Sequence, residues 1–316
     1  MPDRLAFASS WDDRRRLLEL IAATGAERGA DFVVFGLQSD PSALALIERA
    51  ISEQPQAEVI VVCDPNDPAR QSSLRGELPP LLSLLAASPV GDLAVAVSAR
   101  ALRDQAASTR DDAGAEELAL RVAAAGEVLI VGGDTTPASP SRPKPQLTMP
   151  ASGPRTKWLR DFLVSLPLPT ARPSDPDTVA LRSGLLLFND FFDECHSCSQ
   201  SVEGHQNADY WHAILHRREP DYGNAKYWFR HVGRHAIFGE LAPSVSSMFS
   251  RVTGSLAGQL ERWQPRLITA CGWEPFAFVD LCEAAESDAE LLAWCEEVQF
   301  GEMLLLLAST YRAAVG

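Results

Sequence analysis

The run Glu58-Val59-Ile60-Val61-Val62-Cys63 contains no polar residue between its first and last positions. Such a run is typical of a strand covered on both faces, because a half-exposed strand alternates apolar and polar residues. Three further runs share the pattern, at 31–36, 93–97 and 127–131, and a weaker one lies at 5–8. These runs predict a mostly parallel sheet.

Amphipathic stretches separate these runs, at roughly 11–28, 41–54, 77–88 and 100–125. A regular alternation of short buried strands and helices is typical of α/β domains, in which each helix covers a face of the sheet. The sequence therefore predicts a doubly wound α/β domain over residues 1–134.

The rest of the chain has a different character. Residues 135–177 are rich in Pro and Ser, with one short helical pattern near 155–165, and indicate a linker. Helical patterns follow one another through 178–316, which predicts an all-α helical-bundle domain with essentially no sheet. A total length of 316 residues agrees with two domains.

Composition narrows the class of protein. The formal charge is −14, with 28 Lys and Arg against 42 Asp and Glu. An acidic chain lacks the basic face that nucleic acids and anionic membrane surfaces require, so we expect neither partner. The sequence contains 6 Cys, too few for a disulfide scaffold, and no apolar stretch of spanning length. We expect a reduced, cytoplasmic protein, and its oligomeric state stays open.

All 6 histidines fall between 196 and 235. Residues three and four positions apart share a helix face, so Asp209, His212, His216 and Glu219 form one polar stripe. In the preceding helical pattern, which runs over roughly 178–200, Asn189, Asp193, His196 and Gln200 form another. We expect the two stripes to meet in a cleft.

Three imidazoles in one cleft suggest a metal site. His212 and His216 have the i, i+4 spacing that can chelate one ion, and the Asp-x-x-His pair Asp193/His196 resembles the carboxylate–histidine pairs of helical-bundle metal proteins. We expect a divalent metal (Zn, Fe or Mn) on His196, His212, His216 and Asp193. The alternative is a hydrogen-bonded network that fixes the helix packing.

Cations follow the histidines along the chain. Arg217, Arg218, Lys226 and Arg230 lie within fourteen residues, and with Asn224 and Tyr227 they could bind an anionic substrate. Because Arg217 and Arg218 point about 100° apart on a helix, only one is expected to line the cleft. The alternative is internal ion pairing. Pro220 should end this helix, and Asp221 should cap the next.

The stretch His216-Arg-Arg-Glu-Pro-Asp-Tyr-Gly-Asn-Ala-Lys-Tyr-Trp-Phe-Arg230 resembles a signature of uncharacterised bacterial proteins of planctomycete type. The later stretch Trp273-Glu-Pro-Phe-Ala-Phe-Val-Asp-Leu-Cys-Glu283 resembles the same family. The resemblance covers roughly 180–316 and implies no activity. His231 stands where the family pattern leads us to expect a second Arg.

The sequence favours a small-molecule enzyme, hydrolase- or lyase-like, acting in the histidine cleft. His212, His216, Glu219 and Asp209 would be the catalytic groups, as acids, bases or metal ligands. The alternative is a non-catalytic metabolite-binding or regulatory protein with a structural polar core.

Overall fold

The computed structural model describes residues 5–7, 17, 19, 31–35, 41–62, 78–86, 94–109, 113–131, 145–150, 156–168, 172 and 174–316. Apart from Leu17 and Glu19, which are helical, the helix expected over 11–28 lies outside these residues. The chain divides into two compact units, 1–143 and 144–316. The boundary falls inside the expected linker, so the short helix of that linker belongs to unit 2.

Unit 1 contains a five-stranded sheet with strands β1 to β5 in the order β1-β2-β4-β3-β5. The strands are Leu5–Phe7, Phe32–Phe35, Val59–Val62, Ala94–Ser98 and Val128–Val131. All five occur where the apolar runs predict them. β2 and β3 are fully buried along their length, as expected for strands without polar alternation.

The direction of one strand differs from the expectation. β1 pairs with β2 and β3 with β5 in parallel, but the central β4 runs antiparallel to both β2 and β3. The sheet is therefore mixed, and a doubly wound arrangement is not confirmed. The pattern of β4, Ala-Val-Ala-Val-Ser, is equally apolar in either direction, so composition does not encode its orientation.

Four helices of unit 1 lie within the described residues: α1 (Pro41–Glu53), α2 (Pro80–Ala86), α3 (Ala99–Ser108) and α4 (Ala115–Ala125). The single pattern expected over 100–125 is thus two helices. Ser98 caps α3 by accepting a hydrogen bond from the Ala101 amide. One core cluster joins α1 to the sheet through Ile47 and Ile51 against Val34, Ile60 and Ala96.

Unit 2 is mainly helical, as predicted. Its helices are α5 (Lys157–Ser165), α6 (Pro176–Phe188), α7 (Phe192–Ser201), α8 (Gln206–Arg218), α9 (Tyr222–Val232), α10 (Phe238–Phe249), α11 (Gly254–Glu261), α12 (Gln264–Leu267), α13 (Pro275–Ala285) and α14 (Ala289–Val315). A short antiparallel hairpin interrupts these helices, with two residues in each strand: β6 (Ile268–Thr269) and β7 (Gly272–Trp273). This hairpin corrects the expectation of a purely helical region.

Helix α8 occupies the centre of unit 2. Every residue from Asn207 to Arg218 is buried, and the helix packs against α6, α7 and α9. The long helix α14 covers α6 and is bonded to α8 through its polar side chains. A helix buried on all sides must find internal partners for each polar group, because an unpaired buried group is costly.

Two helix ends near the centre follow the sequence signals. α8 ends at Arg218, before Pro220, and the Asp221 carboxylate accepts a hydrogen bond from the Asn224 amide at the start of α9. The pattern expected to run unbroken from 178 to 200 instead breaks after Phe188. Asp190 has a φ of 63°, so the chain turns there and α7 begins as a separate helix.

Candidate metal centre

Three histidines from two helices come together, as predicted. α7 supplies His196, and one turn of α8 supplies His212 and His216. One ligand nitrogen from each lies within 4.8 Å of the other two. Ring centroids are 4.6 Å apart for His196 and His212 and 4.8 Å apart for His212 and His216. This group, here called the triad, could hold a metal ion.

His212 is the innermost member of the triad, with 1% of its surface exposed. Its ring lies between His216 and Trp228, stacked on the indole at 3.9 Å. Within the part of the chain that the structure describes, neither ring nitrogen has a hydrogen-bond partner. Burial, reinforced by His216 and His196, lowers the pKa of His212 to about 3. The imidazole is therefore neutral at neutral pH, the form that binds metals.

His216 lies beside two polar side chains. Its Nδ1 is 3.0 Å from Oε2 of Glu219, close enough for an ion pair but without hydrogen-bond alignment. Its Nε2 is 3.5 Å from Nδ2 of Asn224. A carboxylate next to a ring nitrogen is the usual means by which proteins orient a metal-binding histidine.

The expected carboxylate ligands do not join the triad. Asp193 is exposed on α7, and the described residues supply no carboxylate to the group of ligand atoms. Asp209 is buried, and its Oδ1 accepts a hydrogen bond from the Gly204 amide at the start of α8. Burial raises the pKa of Asp209. The Asp209 carboxylate thus holds the turn that precedes α8, and it does not join the three imidazoles.

Arg217 and Arg218 are both fully buried in ion pairs, so neither lines a cleft. Arg217 pairs with Glu302 and also donates to Gln299. Arg218 pairs with Asp190 at 2.6 Å and donates to the Leu187 carbonyl. The expectation that one of them lines the cleft is corrected, because α14 brings Glu302 to Arg217 and the turn after α6 brings Asp190 to Arg218.

The other expected substrate contacts are divided between two faces of α9. Asn224 lies beside the triad, whereas Lys226 pairs with Asp280 of α13 at 2.6 Å. Arg230 and Tyr227 are exposed. Asn224 and Lys226 are about 160° apart around the helix, as are Trp228 and Arg230. The two cations of α9 therefore lie away from the triad.

Two features of this region were missed from sequence. Trp228 covers His212. Its position four residues after Asn224, on the same face of α9, is the sequence signal that could have identified this contact. Gln299 and Glu302 are polar residues three apart that directly precede the apolar run 303–308 of α14, a pattern that indicates buried partners elsewhere.

No protein-family model, curated protein or solved structure matches this chain. Among the described residues, no helix has both the length and the apolar character needed to cross a bilayer. A functional proposal therefore depends on the chemistry of the side chains that the fold brings together.

Proposed function

We propose that unit 2 binds one Zn²⁺ ion on His196, His212 and His216, and that this centre makes the protein a small-molecule hydrolase or lyase. The observation that carries the proposal is the convergence of three imidazoles, the innermost of which has no other partner among the described residues. A buried imidazole without a partner costs about 1–3 kcal/mol. A bound metal would satisfy one of its nitrogens.

The ligand set favours zinc over the other metals expected from the sequence. Imidazole suits Zn²⁺, whereas Mn²⁺ prefers carboxylate oxygens and the common non-haem iron site needs one carboxylate beside two histidines. The triad contains histidines alone, within the described residues. Zn–N bonds of about 2.0–2.1 Å hold tetrahedral ligands roughly 3.3 Å apart. The triad would close by up to about 1.5 Å, a movement within reach of side-chain rotation.

Three protein ligands are typical of catalytic zinc, because the fourth position stays open for water or substrate. His196 is partly exposed while His212 and His216 are buried, so the open side of the site faces solvent through His196. A zinc-bound water ionises near neutral pH and supplies a nucleophile or a base. We assign to Glu219, part-exposed beside His216, the role of orienting that histidine or accepting a proton.

None of the four cations expected to bind the substrate is available beside the triad, since Arg217 and Arg218 are buried in ion pairs, Lys226 pairs with Asp280, and Arg230 lies on the other face of α9. We therefore propose a small molecule that binds through the metal. The alternative class, a non-catalytic metabolite-binding or regulatory protein, would keep the same histidines as a structural polar core.

Metal content and turnover test the proposal together. The protein, stripped with a chelator and dialysed against Zn²⁺, should retain one zinc per chain by elemental analysis and should cleave members of an ester, phosphoester and amide panel in a zinc-dependent manner. His212→Phe keeps the stack on Trp228 and should lose the zinc. His231→Gln, at an exposed histidine outside the triad, is the matched control and should retain it.

Failure of wild-type protein to retain zinc would refute the metal centre. Zinc retained without turnover of any panel member would favour the non-catalytic alternative. A variant Glu219→Gln should bind zinc about 10–100-fold more weakly if the carboxylate orients His216.

A further inference from the structure

A cavity of about 750 Å³ opens in unit 2 between the end of α9, the start of α10, the β6–β7 hairpin and the start of α13. Its apolar lining is aromatic: Phe229, Phe238, Trp273 and Phe276. The volume lies in the range of sites for small organic ligands, which combine an apolar lining with a few polar groups.

The cavity lies on the opposite side of α8 from the triad. His235, which lines it, packs against Tyr210 with ring centroids 5.1 Å apart. Tyr210 and His212 are two residues apart on α8 and therefore point about 160° away from each other. The cavity is thus a second site, and a ligand bound there would not require a metal at the triad.

Two arginines give the cavity positive charge. Arg230 and Arg234 both line it, are exposed, and form no ion pair with any residue that the structure describes. Neighbouring cations differ, since Lys226 and Arg266 both pair with Asp280. Gly233, at a φ of 60°, ends α9 between the two arginines, a backbone conformation that side chains other than glycine rarely adopt. Unpaired guanidinium groups beside an aromatic wall suit an organic anion.

The other polar groups of the lining are either already bonded or available as donors. Glu274 is the acidic residue of the lining, and its Oε1 accepts a hydrogen bond from the Phe276 amide at the start of α13. With Arg230 and Arg234 the lining keeps a net positive charge. His235 bonds to Asn207 through Nε2 and accepts from the Ile237 amide through Nδ1, and burial lowers its pKa to about 4. By contrast, the Trp273 indole N–H, on a side chain 3% exposed, has no partner among the described residues.

We propose that this cavity binds a small organic carboxylate with a flat aromatic body. Arg230 and Arg234 hold the carboxylate, and the rings of Phe229, Phe238 and Trp273 surround the body. The proposed anion site thus lies on the Arg230 face of α9, away from the triad.

Naphthalene-2-carboxylate and its neutral analogue naphthalene-2-carboxamide test the charge requirement. Both are titrated by calorimetry at pH 7.5 in chelator, so that no metal at the triad can bind the carboxylate. The carboxylate should bind wild-type protein with one site and roughly tenfold or more tighter than the amide. Arg230→Ala/Arg234→Ala should lower carboxylate affinity to that of the amide, whereas Arg262→Ala, an exposed arginine outside the cavity, should leave both unchanged.

A filling variant tests the location. Gly239 lines the cavity, and a Cβ added there meets no atom within 4 Å. Gly239→Phe should abolish binding of both probes without loss of folding. Gly258→Phe is the matched control, because Gly258 is also helical and open but is not among the residues that line the cavity, and this variant should bind both probes as wild type does. Equal affinity of wild type for the two probes, no binding of the carboxylate, or unchanged binding by Gly239→Phe would each overturn the proposal.

Discussion

Lowering the pH from 7.5 to 5.0 should destabilise unit 2 of the metal-free protein. Of the stability lost through the two buried histidines His212 and His235, His212 should account for about half. In the folded chain the pKa of His212 is about 3, against 6.5 for a free histidine. Below pH 6.5 the unfolded chain takes up a proton at His212, and the folded chain does not until near pH 3. Unfolding therefore binds protons in this window, and stability falls as the pH is lowered.

The magnitude follows from the two pKa values. One pKa unit corresponds to about 1.4 kcal/mol, and pH 5.0 lies 1.5 units below the unfolded pKa, which gives a loss of about 2 kcal/mol for His212. His235, with a pKa of about 4, adds about 2 kcal/mol over the same window. Together they should remove about 4 kcal/mol, a large part of an ordinary domain's stability.

Urea unfolding followed by tryptophan fluorescence measures this loss, since six of the seven tryptophans lie in unit 2. His212→Phe or His212→Gln should lose about 2 kcal/mol less than wild type between pH 7.5 and 5.0. His231→Gln, at an exposed site, should match wild type. Titration of Asp209, whose pKa is raised, is common to all variants and cancels. The reasoning is refuted if wild type and both His212 variants lose the same stability.

Two predictions concern the packing of α8. Gly184→Ala should destabilise unit 2 by about 1–3 kcal/mol, because the new Cβ would lie 2.6 Å from the Trp211 ring. The control Gly258→Ala, in open space, should stabilise by up to about 1 kcal/mol. Equal midpoints of urea unfolding for the two variants would contradict this prediction. Arg217→Met should cost about 3–5 kcal/mol by leaving Glu302 buried and unpaired, and adding Glu302→Gln should recover most of it in the same assay.

The parts of the fold that local pattern encodes were predicted, and the parts that distant partners decide were not. Continuous apolar runs located all five strands, but nothing in the run at 93–97 specifies that β4 is antiparallel. The spacing of His212 and His216 places both on one face of α8 whatever surrounds it. That His196 would meet them was inferred from a second stripe, of which Asp193 does not join the ligand atoms.

The arginines show the opposite case. Their number and spacing suggested an anion site. In the folded chain, however, Arg217 forms an ion pair with Glu302, 85 residues further along, and Arg218 bonds to Asp190 and to a carbonyl of α6. A cluster of charge in sequence records only which groups are near in the chain. Whether these charged groups pair with one another, with buried acceptors or with a ligand depends on the acceptors that tertiary packing brings to them.

His212 and His235 are both buried, and burial lowers the pKa of each, but they differ in their hydrogen-bond partners. His235 has a partner on each ring nitrogen, so its environment is complete and its role is to join Asn207 to the segment before α10. His212 is just as buried, yet neither nitrogen is bonded within the described residues, and two further imidazoles converge on it. A histidine that served only packing would be expected to resemble His235, since an orphaned donor is a cost that selection for stability alone would remove. This contrast between two residues that are alike in burial is the strongest support for the proposal that the triad binds a metal ion.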